Sequence, residues 1–84
     1  MSFLHSRVHV EEGGAVVVKL HGAQAEVRVM DDINFRRYRS GLGHRYYGGH
    51  YGQSPAIIQP PNGGDWNVVI DDVGDVTASV DVTH

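Results

Sequence analysis

The sequence contains no cysteine, and it has no apolar run of the length that a membrane helix needs. Without cysteine the chain can form neither a disulfide nor a thiolate metal site, which is typical of a protein from a reducing, cytoplasmic setting. The longest apolar run covers residues 15–18, whereas a spanning helix needs about 20. His5, Arg7 and His9 interrupt the N-terminal apolar positions, so we expect no signal peptide and no membrane contact.

Acidic residues are missing from one segment, residues 36–51, which we call the Arg–Tyr segment. It holds four of the seven Lys and Arg residues and all four Tyr, but none of the ten Asp and Glu. Its arginines are Arg36, Arg37, Arg39 and Arg45. This split predicts a local anion-binding surface on an acidic domain. The net charge of −3 argues against a nucleic-acid partner, because duplex-binding proteins are usually strongly basic.

Most of the remaining chain alternates apolar and polar residues with period two, which is typical of β-strands with one buried face. We predict strands over residues 4–10, 16–20, 25–29, 56–59, 66–71 and 76–83. Turn signals fall at residues 12–14, 60–64 and 72–75, and the short link at 21–24 predicts a hairpin. No linker divides the chain, so we expect one domain, residues 1–84.

One short helix is predicted between the two β regions. Asp31 or Asp32 can cap its N-terminus, and no Gly or Pro occurs from there to residue 39. Gly41 stands where a left-handed C-terminal cap is expected. Beyond it the chain is rich in glycine, which predicts an irregular loop in which Gly48 and Gly49 reverse the chain sharply.

These patterns predict an all-β fold: a compact antiparallel β-sandwich, jelly-roll-like, with seven or eight short strands and one short helix between strands. We expect the helix to cover one end of the sandwich. The core of such a fold is filled by the inward positions of its strands. The expected core residues are Val16, Val18, Leu20, Val27, Val29, Phe35, Trp66, Val68, Ile70, Val80 and Val82.

The Arg–Tyr segment supplies the candidate site. The predicted ligand-binding residues are Arg37, Arg39, His44, Arg45, Tyr46, Tyr47 and Tyr51. The arginines would bind an anion, and the histidine and tyrosines would stack on the ligand or hydrogen-bond to it, a composition typical of single-stranded nucleic-acid platforms and of phosphate–sugar sites. We therefore expect a non-enzymatic binding or sensing module, whose partner is an anionic small molecule or an acidic protein surface.

The same residues also have structural explanations. Arginines near the C-terminus of a helix interact favourably with its dipole by about 0.3–1 kcal/mol, and Asp31, Asp32 or Asp71 could pair with them. Tyrosine fills irregular loops where its hydroxyl reaches a backbone partner. A second hypothesis is a structural or oligomerisation domain, in which the segment is buried in a homodimer interface, because Tyr and Arg are enriched at interfaces.

Metal binding and catalysis find little support in the sequence. Six histidines are present, but they follow no recognised ligand spacing, and the acidic turn at residues 72–75 lacks the pattern of a calcium loop. No serine stands in a nucleophile elbow, and no lysine follows the glycines as a phosphate-cradling loop requires. We predict no metal, no cofactor and no enzymatic activity. A hydrolase would require two His or Asp side chains to meet a Ser in one pocket.

A series of motifs runs along nearly the whole chain. They are Met1-x-Phe3-x-His5, Ala25-x-Val27-Arg28-x-Met30-Asp31-Asp32-x-Asn34-Phe35, Tyr38-Arg39-x-Gly41, His44-Arg45-Tyr46-Tyr47-Gly48-Gly49, Ser54-Pro55 and Gly64-x-Trp66-x-Val68-Val69-Ile70-Asp71. Together they closely resemble the small bacterial family catalogued as domain of unknown function 1883. The resemblance implies a compact all-β domain, which in some bacterial proteins precedes a TIR-type signalling domain. It implies no activity, and that context suits a ligand-sensing or interaction module.

Overall fold

The computed structural model describes residues 3–21, 24–71 and 77–83, which form seven β-strands and one α-helix. In chain order the elements are β1 Phe3–Val10, β2 Ala15–His21, β3 Ala25–Met30, α1 Asp32–Arg39, β4 Tyr47–Tyr51, β5 Ala56–Ile58, β6 Gly64–Asp71 and β7 Thr77–Thr83. The strands form a four-stranded sheet, ordered β1-β6-β3-β4, and a three-stranded sheet, ordered β5-β2-β7, and all neighbours are antiparallel. The predicted all-β sandwich with one short helix is confirmed.

The links between consecutive strands mostly cross from one sheet to the other. The hairpin predicted at residues 21–24 is therefore wrong, because β2 and β3 belong to different sheets. Alternation shows which residues face a core, but the two sheets share that core, so the pattern does not show which strands pair. Residues 22 and 23 of that link lie outside the described residues, as do the turn predicted at 72–75 and residue 76 of the last predicted strand.

The main core lies between the two sheets and consists of the alternate residues that face inward. Its buried members are Val10, Val16, Val18, Leu20, Ala25, Val27, Val29, Ala56, Ile58, Trp66, Val68 and Ile70. Most of the predicted core is confirmed. Val80 and Val82 pack against it but are only partly buried, because β7 is an edge strand. Each fully buried Val, Leu or Ile side chain contributes about 1.5–3 kcal/mol to folding.

A second, smaller core lies on the outer face of the four-stranded sheet, beneath helix α1. Met30, Phe35 and Val69 are buried in it, and Phe3 and Tyr38 pack at its margin. Phe35 was expected in the main core, with the helix at one end of the sandwich. Instead the helix lies across the outward-facing side chains of β3 and β6, so Phe35 completes a separate apolar cluster there.

Strand β6 is buried on both faces, and the polar residue Asn67 is buried with it at 1% exposure. The Nδ2 group of Asn67 donates to Oδ1 of Asp32 at 2.7 Å and to the carbonyl of Met30 at 3.3 Å. Its Oδ1 lies 2.9 Å from Nε2 of His5. Because an unpaired buried amide is costly, these bonds hold the beginning of α1 against the sheet.

Both ends of α1 follow local capping rules, and its predicted bounds are confirmed. At the N-terminus, Oδ1 of Asp31 accepts a hydrogen bond from the backbone N–H of Asn34 at 2.8 Å. At the C-terminus, Gly41 has a φ of 74°. The N–H groups of Gly41 and Leu42 bond back to the carbonyls of Tyr38 and Arg37, the pattern of a Schellman motif. No helix in the described ranges is long and apolar enough to cross a membrane.

The glycine-rich stretch after the helix is more regular than predicted. Residues Tyr47–Tyr51 form β4, which pairs along β3, so the expected chain reversal at Gly48 and Gly49 is wrong. Gly48 has a φ of 127°. A Cβ atom there would collide with the carbonyl oxygen of Val27. Glycine is needed at this position because the backbones of β3 and β4 approach each other too closely for a side chain.

Candidate functional site

Two hollows lie side by side where helix α1 meets the loop that joins it to β4, residues 40–46. The first, the basic hollow, has a volume of about 480 Å³ and is lined by Asn34, Arg37, Gly43, His44 and Arg45. The second, the apolar hollow, has a volume of about 400 Å³ and is lined by Phe3, Tyr38, Arg39, Gly41, Leu42 and His44. His44 belongs to both linings, so the hollows share one wall.

Hydrogen bonds between α1 and the loop hold the basic hollow in shape. Asn34 accepts a hydrogen bond on Oδ1 from the backbone N–H of Arg45 at 2.8 Å, and its Nδ2 donates to Oδ1 of Asp31 at 2.9 Å. Arg37 donates from Nε to the carbonyl of Gly43 at 2.5 Å. These contacts bring Arg37 and Arg45, which are eight positions apart in the sequence, to one concave surface.

The four arginines of the Arg–Tyr segment have no ion pair within 4.0 Å in the described part of the chain. The carboxylates that could have paired with them have other partners. Asp31 caps α1, Asp32 binds Arg7, and Asp71 binds Arg28. Ion pairs between these arginines and Asp31, Asp32 or Asp71, suggested above as a structural explanation, are therefore absent among the described residues. The arginine side chains of the segment are exposed.

His44 forms the wall between the two hollows and is held by three neighbours. Its Nδ1 lies 3.1 Å from the carbonyl of Leu42, and because a carbonyl can only accept, Nδ1 is the protonated nitrogen in that bond. The ring packs edge-on against Tyr38, with centroids 5.1 Å apart, and tilted against Tyr46 at 5.7 Å. Its Nε2 is buried without a partner among the described residues, an arrangement that typically costs about 1–3 kcal/mol.

The ring of Tyr46 packs over the guanidinium group of Arg28, a residue that the sequence did not assign to the site. The Arg28 guanidinium lies 5.1 Å from the ring centroid of Tyr46 and 5.9 Å from that of Tyr38. Arg28 also pairs with Asp71, whose other oxygen accepts a hydrogen bond from the Tyr38 hydroxyl at 2.5 Å. The pattern of β3 indicated that Arg28 points away from the main core. It did not reveal that the loop folds over this residue.

The structure does not bring Tyr47 and Tyr51 to either hollow. They pair with Val29 and Ala25 of β3, whose side chains face the main core. Tyr51 packs against that core, and Tyr47 lies edge-on to Trp66 with ring centroids 5.9 Å apart. Of the seven predicted site residues, the structure places Arg37, His44 and Arg45 at the basic hollow and Arg39 at the apolar hollow. Tyr46 lies against the shared wall, in ring contact with His44.

An ion pair fixes the other end of α1. Arg7 donates from its Nε and from one terminal nitrogen to the two oxygens of Asp32, at 3.1 Å and 2.8 Å. The hydrogen bonds from Arg7 and then Asn67 hold the pKa of Asp32 well below its usual range. The same pair raises the pKa of Arg7. Both shifts favour the charged forms, and the ion pair connects the first turn of α1 to β1.

The histidines of the described residues are dispersed. His5 contacts Asn67, His9 contacts Asp65, and His50 contacts both Glu26 and Gln24. Within the described ranges, no group of three or more His, Asp or Glu side chains is placed to hold a metal ion. The geometry of the site is thus that of cationic and aromatic side chains around two hollows.

The comparisons with known proteins give one match. A family model described as "Domain of unknown function (DUF1883)" matches residues 1–84, the whole chain. No curated protein and no solved structure matches. That description contains no activity, so the chemistry of the site has to be inferred from its own residues.

Proposed function

Because this chain belongs to the DUF1883 family, whose description assigns no activity, we propose its function from the geometry: it is a non-enzymatic binding module for a small anionic molecule. The ligand's anionic group occupies the basic hollow. Arg37 and Arg45 bind it from the rim, and His44 forms the inner wall. Bidentate contacts from guanidinium groups to phosphate or carboxylate oxygens are strong and directional.

One observation carries the proposal. Arg37 and Arg45 line the same hollow, and neither has a carboxylate partner in the described part of the chain. In a protein with a net charge of −3, these two exposed guanidinium groups form a local positive patch that attracts an anion.

The shape of the hollow favours a small molecule over an acidic protein surface. Its volume of about 480 Å³ lies within the range of about 300–1,000 Å³ that small-molecule sites occupy. Neither lining contains a Ser, Asp or Glu side chain from the described residues, so His44 has neither a serine nucleophile nor an orienting carboxylate beside it there. These features support binding without chemistry.

A thermal-shift panel tests the proposal. Inorganic phosphate, sugar phosphates and nucleotides should raise the melting temperature, since a ligand at 100 times its Kd stabilises the folded state by about 2.7 kcal/mol. The variants Arg37→Ala and Arg45→Ala should lose most of that rise. Arg36→Ala is the matched control, because it removes the same charge from the same helix but lies outside both linings. If no anion shifts the wild type, or if all three variants respond alike, the proposal fails.

The homodimer alternative is supported by two exposed side chains of the loop. Leu42 is 53% exposed and Tyr46 is 40% exposed; tyrosine is enriched at interfaces, and Leu42 adds apolar surface that a second copy could bury. Light scattering over a range of protein concentrations tests it. A dimer that Leu42→Glu dissociates would support burial of the loop between two copies, and a monomer at high concentration would refute it.

A further inference from the structure

We infer that the ligand is an aromatic anion, whose charged group lies in the basic hollow and whose planar ring lies in the apolar hollow. This inference rests on the proposed function and names the chemical class of the ligand. The two hollows share His44, so a molecule bound at Arg37 and Arg45 reaches the apolar hollow by passing across one imidazole ring.

The apolar hollow has the size and surface of a site for a small ring. Its volume is about 400 Å³, and its walls include the rings of Phe3 and Tyr38, which pack edge-to-face with centroids 5.3 Å apart. Leu42 lies on its rim with 53% of its surface exposed. A ligand that covered Leu42 would remove apolar surface from water, which is favourable by about 25 cal/mol per Å².

Aromatic walls favour an aromatic ligand over an alkyl chain. Phe3, Tyr38 and His44 present three rings to this hollow, and offset or edge-to-face aromatic pairs contribute about 0.5–1.5 kcal/mol beyond the area that they bury. Arg39 adds a guanidinium group to the same lining and lies 5.7 Å from the ring centroid of Phe35. A guanidinium group attracts the face of an aromatic ring but has no comparable attraction for an alkyl chain.

Three contacts hold the ring of His44, which forms the wall between the two subsites. The contact of Nδ1 with the carbonyl of Leu42 and the packing of Tyr38 and Tyr46 fix the orientation of the His44 ring. A ligand that occupies both subsites therefore lies against this ring, with its charged group on one side and its apolar group on the other.

Isothermal titration with three probes tests the inference. The probes are inorganic phosphate, phenyl phosphate and n-butyl phosphate, which share the anion and differ in the attached group. We expect phenyl phosphate to bind the wild type about tenfold or more tightly than inorganic phosphate, and n-butyl phosphate to bind less tightly than phenyl phosphate. Leu42→Ala should weaken phenyl phosphate binding but leave inorganic phosphate unchanged.

Two further variants separate the parts of the site. Arg45→Ala should weaken all three probes, because it removes the common anion contact. Ile33→Ala is the matched control for Leu42→Ala, since Ile33 is a large apolar side chain of α1 that is 69% exposed and lines neither hollow. It should leave every affinity unchanged.

The outcomes distinguish this inference from the proposed function. If no probe binds the wild type, the proposed function itself fails. If inorganic phosphate and phenyl phosphate bind equally well, or if Leu42→Ala affects them equally, the anion site stands and the aromatic subsite is refuted. If n-butyl phosphate binds as tightly as phenyl phosphate, the hollow is apolar without preference for a ring, and the assignment of an aromatic ligand is overturned.

Discussion

The side chain of Asn34 accepts a hydrogen bond from the backbone N–H of Arg45 at 2.8 Å, which connects the first turn of α1 to the end of its following loop. This bond sets where the Arg45 guanidinium can reach. It places one arginine of the loop opposite Arg37 of the helix, at the same hollow. The position of Arg45 thus depends on an amide side chain eleven residues earlier.

Replacing Asn34 with alanine should weaken anion binding while leaving the fold intact. The substitution also removes the bond from Nδ2 to Asp31, but only the bond to Arg45 positions the guanidinium. Loss of that bond is worth about 1 kcal/mol, so we expect a drop in affinity of about fivefold. Isothermal titration with phosphate measures it. Ile33→Ala, at the adjacent exposed helix position, is the control. Equal affinities for the wild type and Asn34→Ala would show that the bond does not position Arg45.

The ion pair between Asp32 and Arg7 should make the folding stability of the protein depend on pH in the acidic range. The pKa of Asp32 is lowered in the folded state, so its contribution is fully present above the unfolded value of about 3.9. This stabilising contribution is lost as the pH falls towards and through the lower pKa that Asp32 has in the folded state. The melting temperature of the wild type should therefore exceed that of Asp32→Asn by a constant amount above about pH 5.

Below about pH 4 this difference between wild type and Asp32→Asn should shrink. Melting curves between pH 2 and 7, a range that includes the unfolded pKa of Asp, provide the measurement. Asp81→Asn is the control, because Asp81 is exposed and has no ion pair in the described part of the chain. A difference between wild type and Asp32→Asn that stays constant down to pH 2 would contradict the prediction.

Gly48→Ala should destabilise the protein strongly. The alanine would have to adopt a φ of 127° and would place its Cβ against the carbonyl of Val27, so we expect a loss of at least about 2 kcal/mol. Gly43→Ala is the matched control, because nothing lies within 4 Å of a Cβ there. Urea unfolding measures both variants. A small, equal effect of the two would mean that β4 can move away from β3 without cost.

Two tyrosines of the Arg–Tyr segment should respond differently to loss of the hydroxyl. Tyr38 donates to Asp71 at 2.5 Å, and removal of a hydrogen bond to a charged group costs about 1.5–3 kcal/mol. Tyr46 touches Arg28 and His44 through its ring, so Tyr46→Phe should be nearly neutral. Chemical unfolding of Tyr38→Phe and Tyr46→Phe compares them directly. Equal stabilities of the two variants would show that Arg28 alone satisfies the Asp71 carboxylate.

Local signals predicted the helix, whereas longer-range relationships stayed hidden. The carboxylate of Asp31 and the glycine at position 41 act within a few residues, so they fixed the ends of α1 correctly. Strand β4 was missed because Gly48 and Gly49 are typical of loops, and only the close approach of Val27 explains a glycine within this strand. Which strands pair was hidden for a similar reason, since both sheets face one core.

The sequence predicted the positive charge of the candidate site but not the contacts that form it. The absence of acidic residues pointed to Arg37 and Arg45, and the structure places both at one hollow. Asn34 carried no such signal, because its contact with the loop exists only once the helix and loop have folded. Tyr47 lay beyond prediction because its direction follows from pairing with Val29 in a strand that the sequence did not reveal.

The alternation of strands between the two sheets has a consequence for how fast the protein can fold. Phe3 lies opposite Asp71, and Ala15 lies opposite Thr83, so the longest strands find their partners only after most of the chain has closed into large loops. Chains dominated by such distant pairings refold in about milliseconds to seconds, rather than in the microseconds typical of helical bundles. Neither half of the sequence holds a complete sheet, so a fragment containing the basic hollow alone should not acquire a stable structure.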